Sequence, residues 1–208
     1  ESDYDALKHE GLRGPGRAVT DSFEVIDGTS ERWKEALAVS GRDIKDSVVY
    51  AEFKEYVDVI SLADYVLVNS FLANMDWPGK NWYAFGRRDG SDGGFKFSPW
   101  DSEYSLHNLN GNRVDISGSN TPARFYNRAR GNPEFRLLFA DRVHKHAFNG
   151  GPLTVESMVK PGMVVELPYL WDEDNDSWED EEYRPGYLPG YMRSKDPMGG
   201  EPDQAHGS

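Results

Sequence analysis

Apolar side chains recur at three- and four-residue steps between Val49 and Ala73, through Phe53, Tyr56, Val57, Ile60, Tyr65, Val66, Val68 and Leu72, with Asn69 in the same stripe. That period predicts a helix over 49–73, with Asp58 or Ser61 placed to interrupt it by capping a second helix. A shorter helix is predicted before it. Ser30 is its N-cap, Glu31 stands in its first turn, Trp33, Leu37 and Ala38 form its stripe, and Gly41 stops it. The pattern then changes. Asn81-Trp82-Tyr83-Ala84-Phe85 and Phe95-Lys96-Phe97 read as aromatic strands joined by the turn-rich run Gly86–Gly94, a β-hairpin. After a polar loop reaching about Asn120, two helices are predicted. One covers Pro122–Arg130. The other opens with Asn132 as N-cap and Pro133 at its first position, carries Phe135, Leu138, Phe139, Val143 and Phe148, and ends at Gly150-Gly151. The opening stretch Glu1–Gly28, punctuated by Gly11, Gly14, Pro15 and Gly16, reads as short extended or turn-rich chain.

Composition narrows the classes. The net charge of −13 over 208 residues leaves no electrostatic means of holding a phosphate backbone, so nucleic acid is not an expected partner. No run of 18 apolar residues is present, so no membrane-spanning helix is expected. Cysteine is absent, which excludes disulfides and thiolate metal sites. Twelve acidic and three basic residues fall within 161–208, among six prolines. Like charges and frequent Pro predict a poorly ordered acidic tail there, with a folded domain over 1–160. The chain begins at Glu1 rather than Met, which reads as a piece of a longer protein. The resulting fold class is α+β: a mainly helical lobe with one small hairpin and an acidic tail.

The chemistry concentrates around that hairpin. Asp76 follows the long helix, Asn81 comes five positions later, and Asp101 and Glu103 follow the last strand. Protein kinases present the same order. One Asp accepts the substrate hydroxyl proton, an Asn five positions on binds a metal ion, and an Asp after a hairpin holds Mg²⁺ on the nucleotide phosphates. Phosphoryl transfer needs a base beside the attacking oxygen and cations beside the phosphates. Carboxylate and amide oxygens suit hard Mg²⁺. The bland alternative is that Asp76 and Asn81 form turns through their own backbone and that Asp101 caps the next segment.

The runs Asp64–Asn69, Asn74–Trp82, Gly93–Asp101 and Asn132–Arg142 resemble the CotH kinase family. The resemblance covers about Asp3 to Thr154. It implies a protein-kinase-like C-terminal lobe that begins near the nucleotide hinge at Tyr4–Lys8. By the same resemblance, Asp76 is the catalytic-loop Asp, Asn81 the metal-binding Asn, and Asp101 the metal-binding Asp of a Pro-Trp-Asp motif. Glu103 stands where the family has a further Asp. It is one methylene longer and still an oxygen ligand. The implied cofactors are ATP with Mg²⁺ or Mn²⁺, the implied partner is a protein Ser/Thr acceptor, and the implied location is extracellular or at the cell surface. No Gly-rich phosphate loop or phosphate-pairing Lys precedes the catalytic loop, so the piece alone is expected to have little activity. Two other classes stand beside this one: a catalytically silent surface or spore-coat assembly module, and a metal-assisted phosphohydrolase using Asp76, Asp101 and Glu103.

Other features read more simply. Asp172, Asp174 and Asp176 mimic a calcium loop, but Ser177 and Tyr183 occupy the positions that need Gly and Glu, so a solvated acidic run is expected. His144 and His146, two apart on a helix, point to different faces. His9, His107 and His206 show no ligand pattern. Trp77, Trp82 and Trp100 flank the proposed site, with core packing expected and a stacking platform for a base or sugar as the alternative. Arg136 and Arg142 are expected to form structural salt bridges.

Overall fold

A computed structural model describes residues 3–9, 23–108, 112–115, 117–154, 157, 170–172 and 177–179. The chain divides into two units, Glu1–Met158 and Val159–Ser208. The first is α+β. Its elements are β1 (Tyr4–His9), β2 (Phe23–Asp27), α1 (Glu31–Ser40), α2 (Ser47–Tyr56), α3 (Val59–Phe71), β3 (Trp82–Arg87), β4 (Lys96–Pro99), α4 (Pro122–Ala129) and α5 (Pro133–Ala147). In the second unit, β5 (Leu170–Asp172) pairs antiparallel with β6 (Ser177–Glu179). The expectation of a poorly ordered tail falls mostly on residues outside those described, as do Asp174 and Asp176.

The predicted hairpin is one half of a larger sheet. All four strands are antiparallel, in the order β2-β1-β3-β4. The opening stretch, read as short extended or turn-rich chain, supplies two strands of this sheet, Tyr4–His9 and Phe23–Asp27, while Gly11, Gly14, Pro15 and Gly16 lie outside the described residues. The alternation of β1 is disguised by Asp5, a carboxylate at a fully buried strand position beside buried Leu7. Asp5 is tolerated there because Oδ1 accepts the Thr29 N–H at 2.7 Å and the Arg88 Nε–H at 3.1 Å.

The long helix predicted over 49–73 is two helices, and the break has two causes. Asp58 caps α3, its Oδ1 accepting from Ile60 N at 3.1 Å and Ser61 N at 2.9 Å. The sheet also draws the junction out of helical geometry. Phe95 N donates to Tyr56 O at 2.8 Å, and Asp58 N donates to Phe95 O at 3.0 Å. Gly94 permits this approach. Its φ is +94°, and a Cβ there would sit 2.5 Å from the Tyr56 carbonyl carbon and the Val57 nitrogen. As a result Ile60 is 49% exposed rather than part of the core.

The other helices fall close to their predicted positions, with local corrections. In α1 the buried face is Trp33, Ala36, Val39 and Ser40; Ala38 is exposed. The Ser30 side chain makes no capping bond. In α5, Asn132 caps as expected, accepting from Glu134 N at 2.8 Å. Only Phe135 of its apolar residues is fully buried, Leu138 and Phe139 pack at the edge of the core, and Phe148 is 55% exposed.

The core is aromatic and centred on Trp33. Its ring stacks on Trp82 at 5.5 Å and meets Phe95 and Phe125 edge-on at 5.3 and 4.9 Å. Each such pair adds about 0.5–1.5 kcal/mol beyond area burial. Trp82 is the residue after Asn81, so the start of β3 is anchored in this cluster directly beside the candidate site.

Candidate active site

The loop from α3 to β3 is built on asparagines. Asn69, buried on the last turn of α3, donates Nδ2–H to Tyr65 O at 2.8 Å and accepts from Asn74 Nδ2 at 2.8 Å. Asn74 Oδ1 in turn accepts from Asp76 N at 3.0 Å. Two short polar side chains thus replace the helical ladder where α3 ends, and Ala73 turns through φ +48°. Trp77 pins the loop from below. It is 1% exposed, meets Tyr65 edge-on at 5.2 Å, and donates Nε1–H to Arg113 O at 3.1 Å. The segment after β4 lies along this loop, with Met75 N donating to Tyr104 O and Leu106 N donating to Leu72 O.

Asn81 brings the predicted residues together. It stands at φ +56°, a left-handed conformation that Asn adopts more readily than most residues. One amide nitrogen makes both side-chain contacts: Nδ2 donates to Asp76 Oδ2 at 2.9 Å and to the Asp101 carbonyl at 2.8 Å. Its backbone is held equally closely. Asn81 N donates to His9 Nδ1 at 3.0 Å, and Asn81 O accepts from Trp100 N at 3.2 Å. With the NH₂ group spent on two acceptors, the amide oxygen is the donor atom left to face a cation.

Asp76 keeps 16% of its side chain exposed, and Lys80 Nζ lies 3.4 Å from its Oδ1. Asp101, at φ +51°, is exposed just past β4, so its carboxylate faces solvent while its carbonyl is fixed by Asn81. Glu103 lies in an exposed turn. Among the described residues it has no hydrogen bond or ion pair with Asp76, Asn81 or Asp101. Asn81 therefore joins the Asp76 carboxylate to the Asp101 backbone, and Glu103 makes no contact with the three among the described residues.

The donor set is two carboxylates and an amide. Among the described residues no three His, Asp or Glu side chains converge to cage an ion. Such a set fits Mg²⁺, which keeps waters and takes phosphate oxygens to complete its shell. It does not resemble an all-protein calcium site.

One residue of the site shows no signal in the linear pattern. His9, the last residue of β1, is 72 positions from Asn81, and only the sheet brings them together. Burial lowers its pKa from the usual imidazole value; Lys8 and Lys80 act in the same direction, while Asp76 and Glu24 oppose them. Trp100 is 40% exposed, stacked on His9 at 6.2 Å and tilted against Tyr83 at 5.5 Å. It forms an aromatic ledge beside Asp101, whereas Trp77 and Trp82 belong to the core. Lys80 was legible in principle, four residues after Asp76.

The remaining candidates serve structure. Arg142 binds Asp64 in a fork, with Nε 2.6 Å from Oδ1 and Nη2 on Oδ2, and His146 Nε2 lies 3.2 Å from Asp64 Oδ1. Arg136 instead donates to the Arg130 and Gly131 carbonyls. His144 turns to Asn149, on a different side of α5 from His146. His107 packs on Tyr104. A cleft of about 560 Å³ opens elsewhere, between α3, β4 and the end of α5; Asp64 and His146 line it, and Asp76, Asn81, Asp101 and Glu103 do not.

Comparison with known families finds a match to the model of the CotH kinase protein over residues 10–149, more than half of the chain. No curated protein and no solved structure matches it.

Proposed function

This chain belongs to the CotH kinase family, and from that premise we propose that it takes part in Mg²⁺-dependent transfer of the γ-phosphoryl group of ATP to a protein Ser or Thr hydroxyl. One observation carries the reading: a single amide nitrogen of Asn81 joins the Asp76 carboxylate to the Asp101 backbone, 25 residues apart.

The geometry supports the following roles. Asp76 accepts the proton of the attacking hydroxyl as its oxygen bonds to the γ-phosphorus, while the bond to the β-phosphate oxygen breaks and ADP leaves with its electron pair. Asn81 orients Asp76 for that task through Oδ2, leaving Oδ1 toward Lys80. The Asn81 amide oxygen and the Asp101 carboxylate would hold the Mg²⁺, with Glu103 as an auxiliary oxygen ligand. When bound, the ion neutralises phosphate charge as it develops. Mn²⁺ satisfies the same oxygen set. Lys80, partly exposed beside Asp76, adds a positive charge at the phosphate side.

The test pairs two near-isosteric variants. Asp101→Asn keeps a residue that accepts a left-handed backbone but removes the carboxylate. Asp76→Asn keeps an oxygen for Asn81 Nδ2 but removes the base. Incubation of the full-length protein that carries this chain with Mg·ATP and a protein acceptor is expected to give labelled Ser or Thr. We expect each variant to lower the rate by about 100-fold or more. Unchanged transfer in Asp101→Asn would refute the assignment.

A second reading is a catalytically silent surface or spore-coat assembly module. Lys80 favours it, because with Asn81 it occupies both oxygens of Asp76 as a purely structural loop would. Such a module gives no metal-dependent heat with Mg·ATP. A phosphohydrolase releases phosphate without labelling protein.

A further inference from the structure

We infer that His9 is a positioning residue for the Asp76–Asn81–Asp101 site, acting as a fixed neutral acceptor that holds Asn81 in its left-handed turn. The inference rests on the phosphoryl-transfer reading for its catalytic consequence, though not for its structural content.

The argument begins with the strand pairing. β1 and β3 run antiparallel, with pairs from Tyr4↔Arg87 to Lys8↔Tyr83. Asn81 lies beyond the last of these pairs, where its positive φ turns the chain out of the ladder. Its N–H therefore loses a strand carbonyl as partner, at a residue only 6% exposed. A buried N–H left unpaired costs about 1–3 kcal/mol, so something must replace the carbonyl. The replacement is a side chain of the facing strand, His9 Nδ1, at 3.0 Å.

That contact defines the state of the ring. Nδ1 accepts, so the proton of the neutral imidazole sits on Nε2. The ring plane is set by Trp100, which lies over it at 6.2 Å and 28°. Trp100 N also donates to Asn81 O. His9 and Trp100 thus grip the two backbone polar groups of one residue while stacked on each other. Every hydrogen-bonding atom of Asn81 except its amide oxygen is then committed, which is the condition for aiming that oxygen reproducibly. Groups one bond removed from a ligand commonly change metal affinity or activity by about 10–100-fold when mutated.

The chemistry of the contact suggests its own controls. Asn at position 9 places an amide oxygen near the position of Nδ1, whereas Gln extends its amide toward the reach of Nε2, and Phe keeps the ring without an acceptor. Amide exchange at Asn81, followed in the full chain without nucleotide, tests the contact directly. It is expected to be slow in the native protein and in His9→Asn, and about 10-fold faster or more in His9→Phe, in line with loss of a local protecting bond. Equal exchange in His9→Phe and the native chain would overturn the inference. Calorimetry with Mg·ATP tests the consequence. Affinity is expected to fall about 10-fold or more in His9→Phe and to be largely restored in His9→Asn. Failure of His9→Asn to restore it overturns the positioning role. Should His9→Phe not fold, His9→Gln takes its place, with the same expected losses and the same overturning result. If Asp101→Asn leaves Mg·ATP binding unchanged, the phosphoryl-transfer reading falls while the exchange rates at Asn81 still decide the role of His9.

Discussion

Lys80 Nζ lies 3.4 Å from Asp76 Oδ1 while the neighbouring residue, Asn81, holds Oδ2 at 2.9 Å, so consecutive residues share one carboxylate between a charge and a neutral donor. The Lys80 side chain is 30% exposed, and a pair of this kind is worth no more than about 1 kcal/mol to stability. We therefore predict that Lys80→Met leaves the urea midpoint nearly unchanged. Mg·ATP binding, measured by calorimetry, should weaken several-fold and depend less on salt. A large drop in stability with unchanged binding would assign Lys80 to the scaffold instead.

Trp33 is fully buried at the meeting point of Trp82, Phe95 and Phe125. Trp33→Ala removes one of the three tryptophans of the core and leaves a cavity the surrounding rings cannot close. The expected cost is about 3–5 kcal/mol, read from chemical denaturation. Because Trp82 adjoins Asn81, a partly folded variant should also lose Mg·ATP binding.

The junction of α2 and α3 offers a backbone test. Gly94→Ala drives a methyl group onto the Tyr56 and Val57 backbone, where no flexible side chain can yield. We predict strong destabilisation for this change. Asp58→Ala, which removes only the cap of α3, should cost about 0.5–2 kcal/mol. Comparable losses for the two would mean that the strand contact at Gly94 contributes little.

Tyr50 gives a pH prediction. Its side chain is buried, its hydroxyl has no hydrogen-bond partner among the described residues, and burial raises its pKa to about 12, with Glu134 adding to the effect. Between pH 10 and about 12 the unfolded chain releases this proton while the folded chain retains it. Stability is thus intact below pH 10 and declines as pH rises through that window. Tyr50→Phe removes both the titration and an unpaired hydroxyl. It should leave neutral-pH stability unchanged or higher and flatten the alkaline decline, as followed by circular dichroism against tyrosinate absorbance.

Much of this was legible before any coordinates, and the misses have identifiable causes. Asn132 and Pro133 marked the start of α5 because a cap and a proline act through local chemistry. Asp58 signalled the helix break for the same reason, although its tether to Phe95 depends on a strand 37 residues away. β1 escaped notice because Asp5 occupies a core position that the alternation reserves for an apolar side chain. Its ion pair with Arg88 spans 83 residues. At the site, Asp76 and Asn81 could be read from their five-residue spacing on one loop. His9 could not, since sheet register rather than spacing places it against Asn81.

The left-handed turn at Asn81 has a consequence for judging relatives of this chain. Under the proposed function asparagine serves two masters there, the shape of the main chain and the chemistry of its amide oxygen. A descendant that abandoned catalysis but kept the architecture would still favour Asn or Gly at this position. Persistence of Asn81 is therefore weak testimony of enzymatic life; under the proposed function the exposed carboxylate at 101 is the more telling group, since the Asp76 carboxylate also ties the loop through Asn81 and Lys80.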